Sequence, residues 1–168
     1  NPKRPLTIII GGAKIETKLP LVSKMHKFAN FVLIGGEVAK HTKELIKVEH
    51  QKAGYVKSII EVADLTENGK DINEYSINNF IKIIYGSKTV VWNGPMGEFE
   101  KDFNTGTREI AYGIIKSKVK SIVGGGDTVV FLEKEKIVDK FSFVSVGGGA
   151  MLEFLAGEKL PGIEVLQD

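Results

Sequence analysis

Residues 6–18 read Leu-Thr-Ile-Ile-Ile-Gly-Gly-Ala-Lys-Ile-Glu-Thr-Lys. A run rich in β-branched residues comes first, a pair of glycines follows, and the residues beyond the glycines have helical periodicity. A short apolar run, a glycine turn and a helix form the repeating unit of a parallel sheet whose strands are covered on both faces. This stretch therefore predicts a buried strand that leads directly into a helix.

The same order of features recurs along the chain. The apolar runs lie at 6–10, 31–34, 89–92, 121–123 and 143–146, with a sixth at 58–65. Helical periodicity follows them near 16–29, 37–47, 76–85, 104–117, 127–135 and 150–156. The pattern predicts one α/β domain over residues 1–168, a doubly wound, Rossmann-like parallel sheet of about six strands, with helices on both faces in three layers.

Glycine clusters stand where five of these strands end, at Gly11–Gly12, Gly35–Gly36, 93–95, 124–126 and 147–149. Right-handed connections place all these breaks on one edge of the sheet, at the carboxyl ends of the strands. One such cluster is equally well explained by a tight turn. Five clusters on one edge predict a crevice of backbone N–H groups suited to phosphate oxygens.

Composition excludes several classes of protein. The chain has 168 residues, 23 basic and 21 acidic, with no basic run typical of nucleic-acid binding. It has no cysteine, so it carries no disulfide, no thiolate nucleophile and no cysteine-type zinc site. Its apolar runs are too short to span a bilayer, and we expect a cytoplasmic protein with no membrane partner. Because the chain starts at Asn1 without Met, we expect it to be part of a longer protein.

Several polar residues at the predicted crevice have two possible interpretations. Lys14 and Lys18 lie four apart beside a glycine pair, where they either bridge a polyphosphate or are solvated helical lysines. Asp127 follows three glycines and either caps a helix or holds Mg²⁺. Asn93 stands in a Trp-Asn-Gly-Pro segment that turn chemistry alone also explains. The usual P-loop and dinucleotide glycine motifs are absent, and His26, His41 and His50 are predicted to be surface residues.

Four motifs, in this order, closely resemble phosphoglycerate kinase, in its C-terminal nucleotide-binding domain. They are Gly11-Gly12-Ala13-Lys14 with Lys18, residues 91–97 (Val-Trp-Asn-Gly-Pro-Met-Gly), residues 124–128 (Gly-Gly-Gly-Asp-Thr) and residues 147–155. The resemblance implies reversible phosphoryl transfer in glycolysis. This half would bind MgADP or MgATP, and an N-terminal domain outside the chain would bind 3-phosphoglycerate or 1,3-bisphosphoglycerate.

The resemblance also implies roles for individual residues. Lys14 would steady the transferring phosphoryl group, which Gly125, Gly126, Gly148 and Gly149 would bind through backbone N–H groups. Lys18, Asn93 and Thr128 would serve the nucleotide phosphates, and Asp127 the Mg²⁺ ion. Glu100 would accept from the ribose, and the adenine pocket would be lined by Gly12, Ala13, Gly35, Gly36 and Met96.

The sequence also departs from the family pattern. Glu37 stands where glycine or alanine usually follows the glycine pair, beside the expected adenine pocket. The stretch between Leu45 and Thr89 is much shorter than in typical members, and it lacks their Leu-Pro-x-Asp segment. Three functions therefore remain open: half of a monomeric kinase, a stand-alone, non-catalytic module that binds ADP or ATP, or a structural remnant that binds no nucleotide. A dinucleotide-dependent dehydrogenase is the outside alternative, and the missing glycine motif counts against it.

Overall fold

The computed structural model describes residues 2–25, 27–49 and 59–166, so His26 and His50 lie outside the described residues, while His41 is exposed. Within these described residues, six strands form one parallel sheet: β1 (Leu6–Ile10), β2 (Phe31–Ile34), β3 (Ile59–Val62), β4 (Thr89–Asn93), β5 (Lys120–Gly124) and β6 (Phe143–Ser145). Their order across the sheet is β3-β2-β1-β4-β5-β6. Every apolar run of the sequence supplies one strand, which confirms the predicted doubly wound α/β fold.

Seven helices are described around this sheet. They are α1 (Ile15–Met25), α2 (Gly36–Glu49), α3 (Glu74–Gly86), α4 (Thr105–Ser117), α5 (Gly126–Lys134), α6 (Gly148–Leu155) and α7 (Pro161–Glu164). Short 3-10 helices lie at Phe99–Lys101 and Val138–Lys140. Among the described helices, none has the length and apolar character required to cross a bilayer.

Two hydrophobic cores, one on each face of the sheet, account for the three layers. On one face α3, α4 and α5 pack through residues such as Phe80, Ile110 and Phe131 against Trp92 of β4. On the other face α1, α2 and α6 pack through residues such as Leu21, Val38 and Leu152. Strand side chains alternate between the two cores, as they do along any pleated strand. Both faces of the central strands β1 and β4 are therefore buried, while the edge strands β3 and β6 are partly exposed.

The first helix ends earlier than its apolar pattern predicts. Periodicity extends to residue 29, but α1 ends at Met25. The Ala29 N–H still donates to the Met25 carbonyl, 2.9 Å away, within a turn that leads to β2. Ala29 is buried and Phe28 packs against the same core. Apolar residues in a turn can thus continue a helical pattern beyond the helix.

Candidate functional site

The crevice lies where β1 and β4 are neighbours at the centre of the sheet. The chain leaves β1 for α1 on one face and leaves β4 for α4 on the other. Such a reversal opens a cleft at the carboxyl ends of the two strands, where open α/β sheets bind their ligands. The glycine clusters that follow β1, β2, β4, β5 and β6 all lie on this edge.

Backbone hydrogen bonds join the first three clusters into one surface. Gly11 N–H donates to the Asn93 carbonyl over 2.8 Å, and Gly12 N–H donates to the Pro95 carbonyl over 2.7 Å. Gly36 N–H donates to the Met96 carbonyl over 3.1 Å. The 93–97 loop is therefore held by the turns that follow β1 and β2. The predicted convergence of these clusters is confirmed.

The glycine clusters that follow β5 and β6 also contact each other closely. A Cβ atom on Gly148 would lie 2.3 Å from the backbone nitrogen of Gly125, so the two segments could not approach this closely if residue 148 carried a side chain. Asn93 is buried and donates from Nδ2 to the Gly148 carbonyl over 3.0 Å. Asn93 thereby links the end of β4 to the N-terminus of α6.

A cavity of about 270 Å³ opens over these glycines. The N-termini of α5 and α6 face it, and the first N–H groups of a helix have no acceptor within the helix. Such N–H groups attract anions. The lining residues are Ala13, Lys14, Thr17, Lys18, Leu21, Asn93, Gly94, Gly125, Gly126, Asp127, Thr128, Gly148, Gly149, Leu152 and Glu153.

A second cavity, of about 410 Å³, adjoins the first, and Ala13 and Asp127 line both. Its walls come from α2, from the 65–70 loop and from the segment 95–101. They are formed by Gly12, Ala13, Gly36, Glu37, Lys40, Leu65, Gly69, Lys70, Pro95, Met96, Gly97, Glu98, Phe99, Glu100, Lys101 and Asp127. The two cavities together form one elongated crevice with a glycine-rich end and a charged end.

Lys18 is the most perturbed cation of the crevice. Its ammonium group donates to the Gly11 carbonyl, at the turn after β1. Burial lowers the pKa of Lys18 to about 8, Asp127 raises it, and Lys14 lowers it further. Burial disfavours the charged form of Lys18, and the nearby Asp127 carboxylate offsets this cost only in part. An anion bound beside Lys18 would supply further counter-charge.

We therefore expect anion binding to raise the pKa of Lys18 and to take up a proton. Because the free protein holds this ammonium with a pKa of about 8, the contribution of Lys18 to ADP affinity should be constant well below that pH and fall above it. The fall from pH 7.5 to 9.5 should be on the order of tenfold. Calorimetry at pH 8.5 in buffers of different ionisation enthalpy measures the proton uptake.

The matched variant for this experiment is Lys18→Met, which keeps the length of the side chain and removes its charge. Its binding heat should not depend on the buffer, whereas Lys116→Met, on the distant last turn of α4, should behave like the wild type. Proton uptake that persists in Lys18→Met would contradict the assignment to Lys18.

Asp127 and Thr128 open α5 and differ sharply in exposure. The hydroxyl of buried Thr128 accepts the Gly94 N–H over 2.9 Å, so it fastens the 93–97 loop to α5. The Asp127 side chain is exposed where the two cavities meet. No cluster of three His or acidic residues suited to a metal occurs within the described ranges. One carboxylate is still sufficient for Mg²⁺ that also binds nucleotide phosphates.

Every residue predicted for the site lines one of the two cavities, except Gly35. Gly35 is buried behind the wall, and a Cβ atom there would lie 2.5 Å from Met96 Sδ. Its role in the structure is to let Met96 pack. Met96 itself is fully buried, and its N–H donates to Thr107 Oγ1 over 2.9 Å.

Sequence reasoning missed the charged and aromatic walls of the larger cavity. Phe99 forms part of this wall and packs edge-on against Phe131, with ring centroids 6.3 Å apart. Lys40 lies in the same wall, on α2. The missed wall residues are Lys40, Leu65, Gly69, Lys70, Glu98, Phe99 and Lys101. The Asn68-Gly69 pair is a turn signal, and it was the one local feature of the sequence that indicated a loop beside this cavity.

Comparisons with known proteins agree with this geometry. The profile of the family "Phosphoglycerate kinase" matches residues 1–61 and 41–158. Phosphoglycerate kinases from Akkermansia muciniphila and Wigglesworthia glossinidia brevipalpis are 36% and 37% identical to the chain over 213 and 204 positions. The alignments cover 100% and 99% of this chain but 53% and 52% of those proteins. The chain thus spans about half the length of these relatives.

Solved structures give the same result. Phosphoglycerate kinase from Coxiella burnetii superposes with a TM-score of 0.83 at 28% identity, over 99% of this chain and 54% of that one. The Pyrococcus horikoshii enzyme gives 0.79 at 28% identity, over 98% and 52%. The two spans that match the family profile overlap at 41–61, which extends into the region between Leu45 and Thr89 where the sequence indicates a shortened connection. With its fold, its glycine-lined crevice and these matches, the chain belongs to the phosphoglycerate kinase family.

Proposed function

We propose that the chain is the nucleotide-binding half of a phosphoglycerate kinase. This enzyme would transfer a phosphoryl group between 1,3-bisphosphoglycerate and MgADP, giving 3-phosphoglycerate and MgATP in glycolysis. The observation that carries the proposal is the elongated crevice, in which Ala13 and Asp127 join a glycine-lined cavity to a larger one. A nucleoside diphosphate has the same two parts, phosphates at one end and a base at the other.

The glycine-lined cavity is the proposed phosphate site. Residues at the N-termini of α5 and α6 line it together with Lys14 and Lys18, and the first N–H groups of a helix have no acceptor within the helix. Phosphoryl transfer mainly requires that the reacting groups are positioned and that the phosphate charge is neutralised. Donors fixed before the reaction starts stabilise the charge that develops on the transferring group. Gly125, Gly126, Gly148 and Gly149 would supply them without moving.

The Mg²⁺ ion expected for this chemistry would be held by Asp127 together with the nucleotide phosphates. The exposed Asp127 carboxylate lies at the junction of the cavities, which suits an ion shared with a polyphosphate. Magnesium supplies neutralisation of phosphate charge. The protein's own part is to orient the phosphates along the helix N-termini and to hold Lys14 and Lys18 beside them.

The phosphoglycerate substrate is proposed to bind on a domain outside this chain, since the chain spans about half of its relatives. We accordingly expect the isolated chain to bind nucleotide without turnover. For the whole protein we expect a cytoplasmic location and a monomeric state.

Calorimetric titration of the chain with ADP, with and without Mg²⁺, tests the proposal. Binding should be stronger with Mg²⁺. Asp127→Asn should lose the effect of the metal, with affinity for MgADP falling about tenfold or more, as expected for loss of a charged ligand. The control Asp139→Asn lies on an exposed 3-10 helix and should titrate like the wild type. No binding heat from a folded sample would contradict the proposal.

A further inference from the structure

The wall of the larger cavity carries an unusual amount of charge. Small-molecule sites are mostly apolar and contain a few polar groups that fix orientation and specificity. Here three lysines and three glutamates surround the space that the proposed function assigns to the base. They are Glu37, Lys40, Lys70, Glu98, Glu100 and Lys101. The positions of these charged side chains affect which nucleotide base the cavity accepts.

Three of these six charges have a partner close by. Lys101 Nζ lies 2.9 Å from Glu98 Oε2. Lys70 Nζ lies 4.7 Å from the centroid of the Phe103 ring. Glu100 is the residue expected at the ribose. The remaining two, Glu37 and Lys40, stand together on the first turns of α2.

Glu37 is a carboxylate with acceptor capacity to spare. It directly follows Gly36, whose N–H donates to the Met96 carbonyl, so its backbone is fixed against the 95–97 loop. Within the part of the chain that the structure describes, no ammonium or guanidinium group lies within ion-pair distance of it. Its side chain is exposed to the cavity.

Lys40 lies one turn after Glu37 in the same wall. Its ammonium reaches toward Gly69, since a Cβ atom on Gly69 would lie 3.5 Å from Lys40 Nζ. The wall therefore presents a carboxylate, which only accepts hydrogen bonds, and an ammonium, which only donates them. A base that offers donors and an acceptor side by side would match this pair.

We propose that Glu37 is a specificity-determining residue that makes the site favour guanine over adenine nucleotides; this rests on the proposed function. Guanine presents the N1–H and N2–H₂ donors next to each other and the O6 acceptor beside them. A carboxylate can accept both donors at once, as it does from other forked donors, while Lys40 donates to O6. Adenine presents one amine beside the N1 acceptor, so it donates one hydrogen bond fewer to Glu37 and directs the N1 lone pair toward a carboxylate oxygen.

Dissociation constants for MgGDP, MgIDP and MgADP test this assignment on the 168-residue chain. MgGDP should bind about tenfold more tightly than MgADP, the difference expected for one additional charge-assisted hydrogen bond. MgIDP lacks the N2 amine and should fall between them. Glu37→Gln should remove the preference or reverse it, because a carboxamide offers one acceptor and one donor, the pattern that matches adenine.

Glu67→Gln is the matched control, because Glu67 is an exposed carboxylate of the neighbouring loop that does not line this cavity. It should keep the wild-type preference. Equal affinities for MgGDP and MgADP, or a guanine preference unchanged in Glu37→Gln, would overturn the assignment and leave the proposed function standing. A folded chain that binds none of the three nucleotides would overturn both.

Discussion

Replacing Gly94 with alanine should abolish the native crevice and lower the free energy of unfolding by about 3 kcal/mol or more. Gly94 adopts a φ of 95°, which L-residues with side chains rarely adopt. A Cβ atom there would lie 2.1 Å from the Gly11 carbonyl oxygen and 2.6 Å from Lys18 Nζ. To relieve this clash, β1 and β4 would have to separate at their carboxyl ends, where the crevice lies. Urea denaturation followed by circular dichroism measures the loss of stability.

Gly86→Ala is the control for the Gly94 variant. Gly86 ends α3, and a Cβ atom there would have no heavy atom within 4 Å. Its unfolding free energy should stay within about 0.5 kcal/mol of the wild type, or rise slightly through the lower entropy of the unfolded chain. A Gly94→Ala protein as stable as the Gly86→Ala protein would show that the two loops are not packed as described.

Asp71→Ala should lower the free energy of unfolding by about 2 kcal/mol. Asp71 is buried, and its carboxylate accepts the N–H groups of Ile72 and Gly106, at 2.8 and 2.9 Å. Burial raises the pKa of Asp71, while backbone N–H groups, including those of Gly106 and Ile72, lower it. Removal of the carboxylate would leave these N–H groups buried without an acceptor. Urea denaturation at pH 7 measures the difference.

Nucleotide affinity should fall in the same variant, because Asp71 supports the wall of the larger cavity. A Cβ atom on Gly97 would lie 2.5 Å from Asp71 Oδ1, so this side chain packs directly against the 95–97 loop. The control Asp139→Ala removes an exposed carboxylate, 3.1 Å from Lys140, and should change stability by less than about 0.5 kcal/mol. Equal stability of the Asp71→Ala and Asp139→Ala proteins would contradict the role given to Asp71.

The strands were predictable because parallel strands buried on both faces are continuous apolar runs. The six runs match the six strands, and the helices that follow them begin within about two residues of the predicted positions. The order of the strands was not predictable in this way. Neither the run at 6–10 nor the run at 89–92 contains a local sign that they pair, although β1 and β4 lie side by side in the sheet.

The glycine-lined half of the site was predictable for a related reason. Glycines that follow strands gather on one sheet edge whatever the strand order, and Lys14, Lys18 and Asp127 are sequence neighbours of those glycines. The charged wall was not predictable, because Lys40, Lys70 and Phe99 come from three separate segments that meet only in the folded chain. Asp71 was missed because its partner Gly106 lies 35 residues away.

We propose that a nucleotide binds across the carboxyl edge of the sheet, with its phosphates on the N-termini of α5 and α6. Backbone amide chemical shifts of the chain, titrated with MgADP, test it most directly. The largest shifts should occur at Gly12–Lys14, at 93, 94, 96 and 97, at 125–128 and at 148–149, and Gly86 and Gly157 should not respond. Shifts that leave Gly125, Gly126, Gly148 and Gly149 unchanged, or that concentrate on the outer surfaces of α3 and α4, would contradict the account.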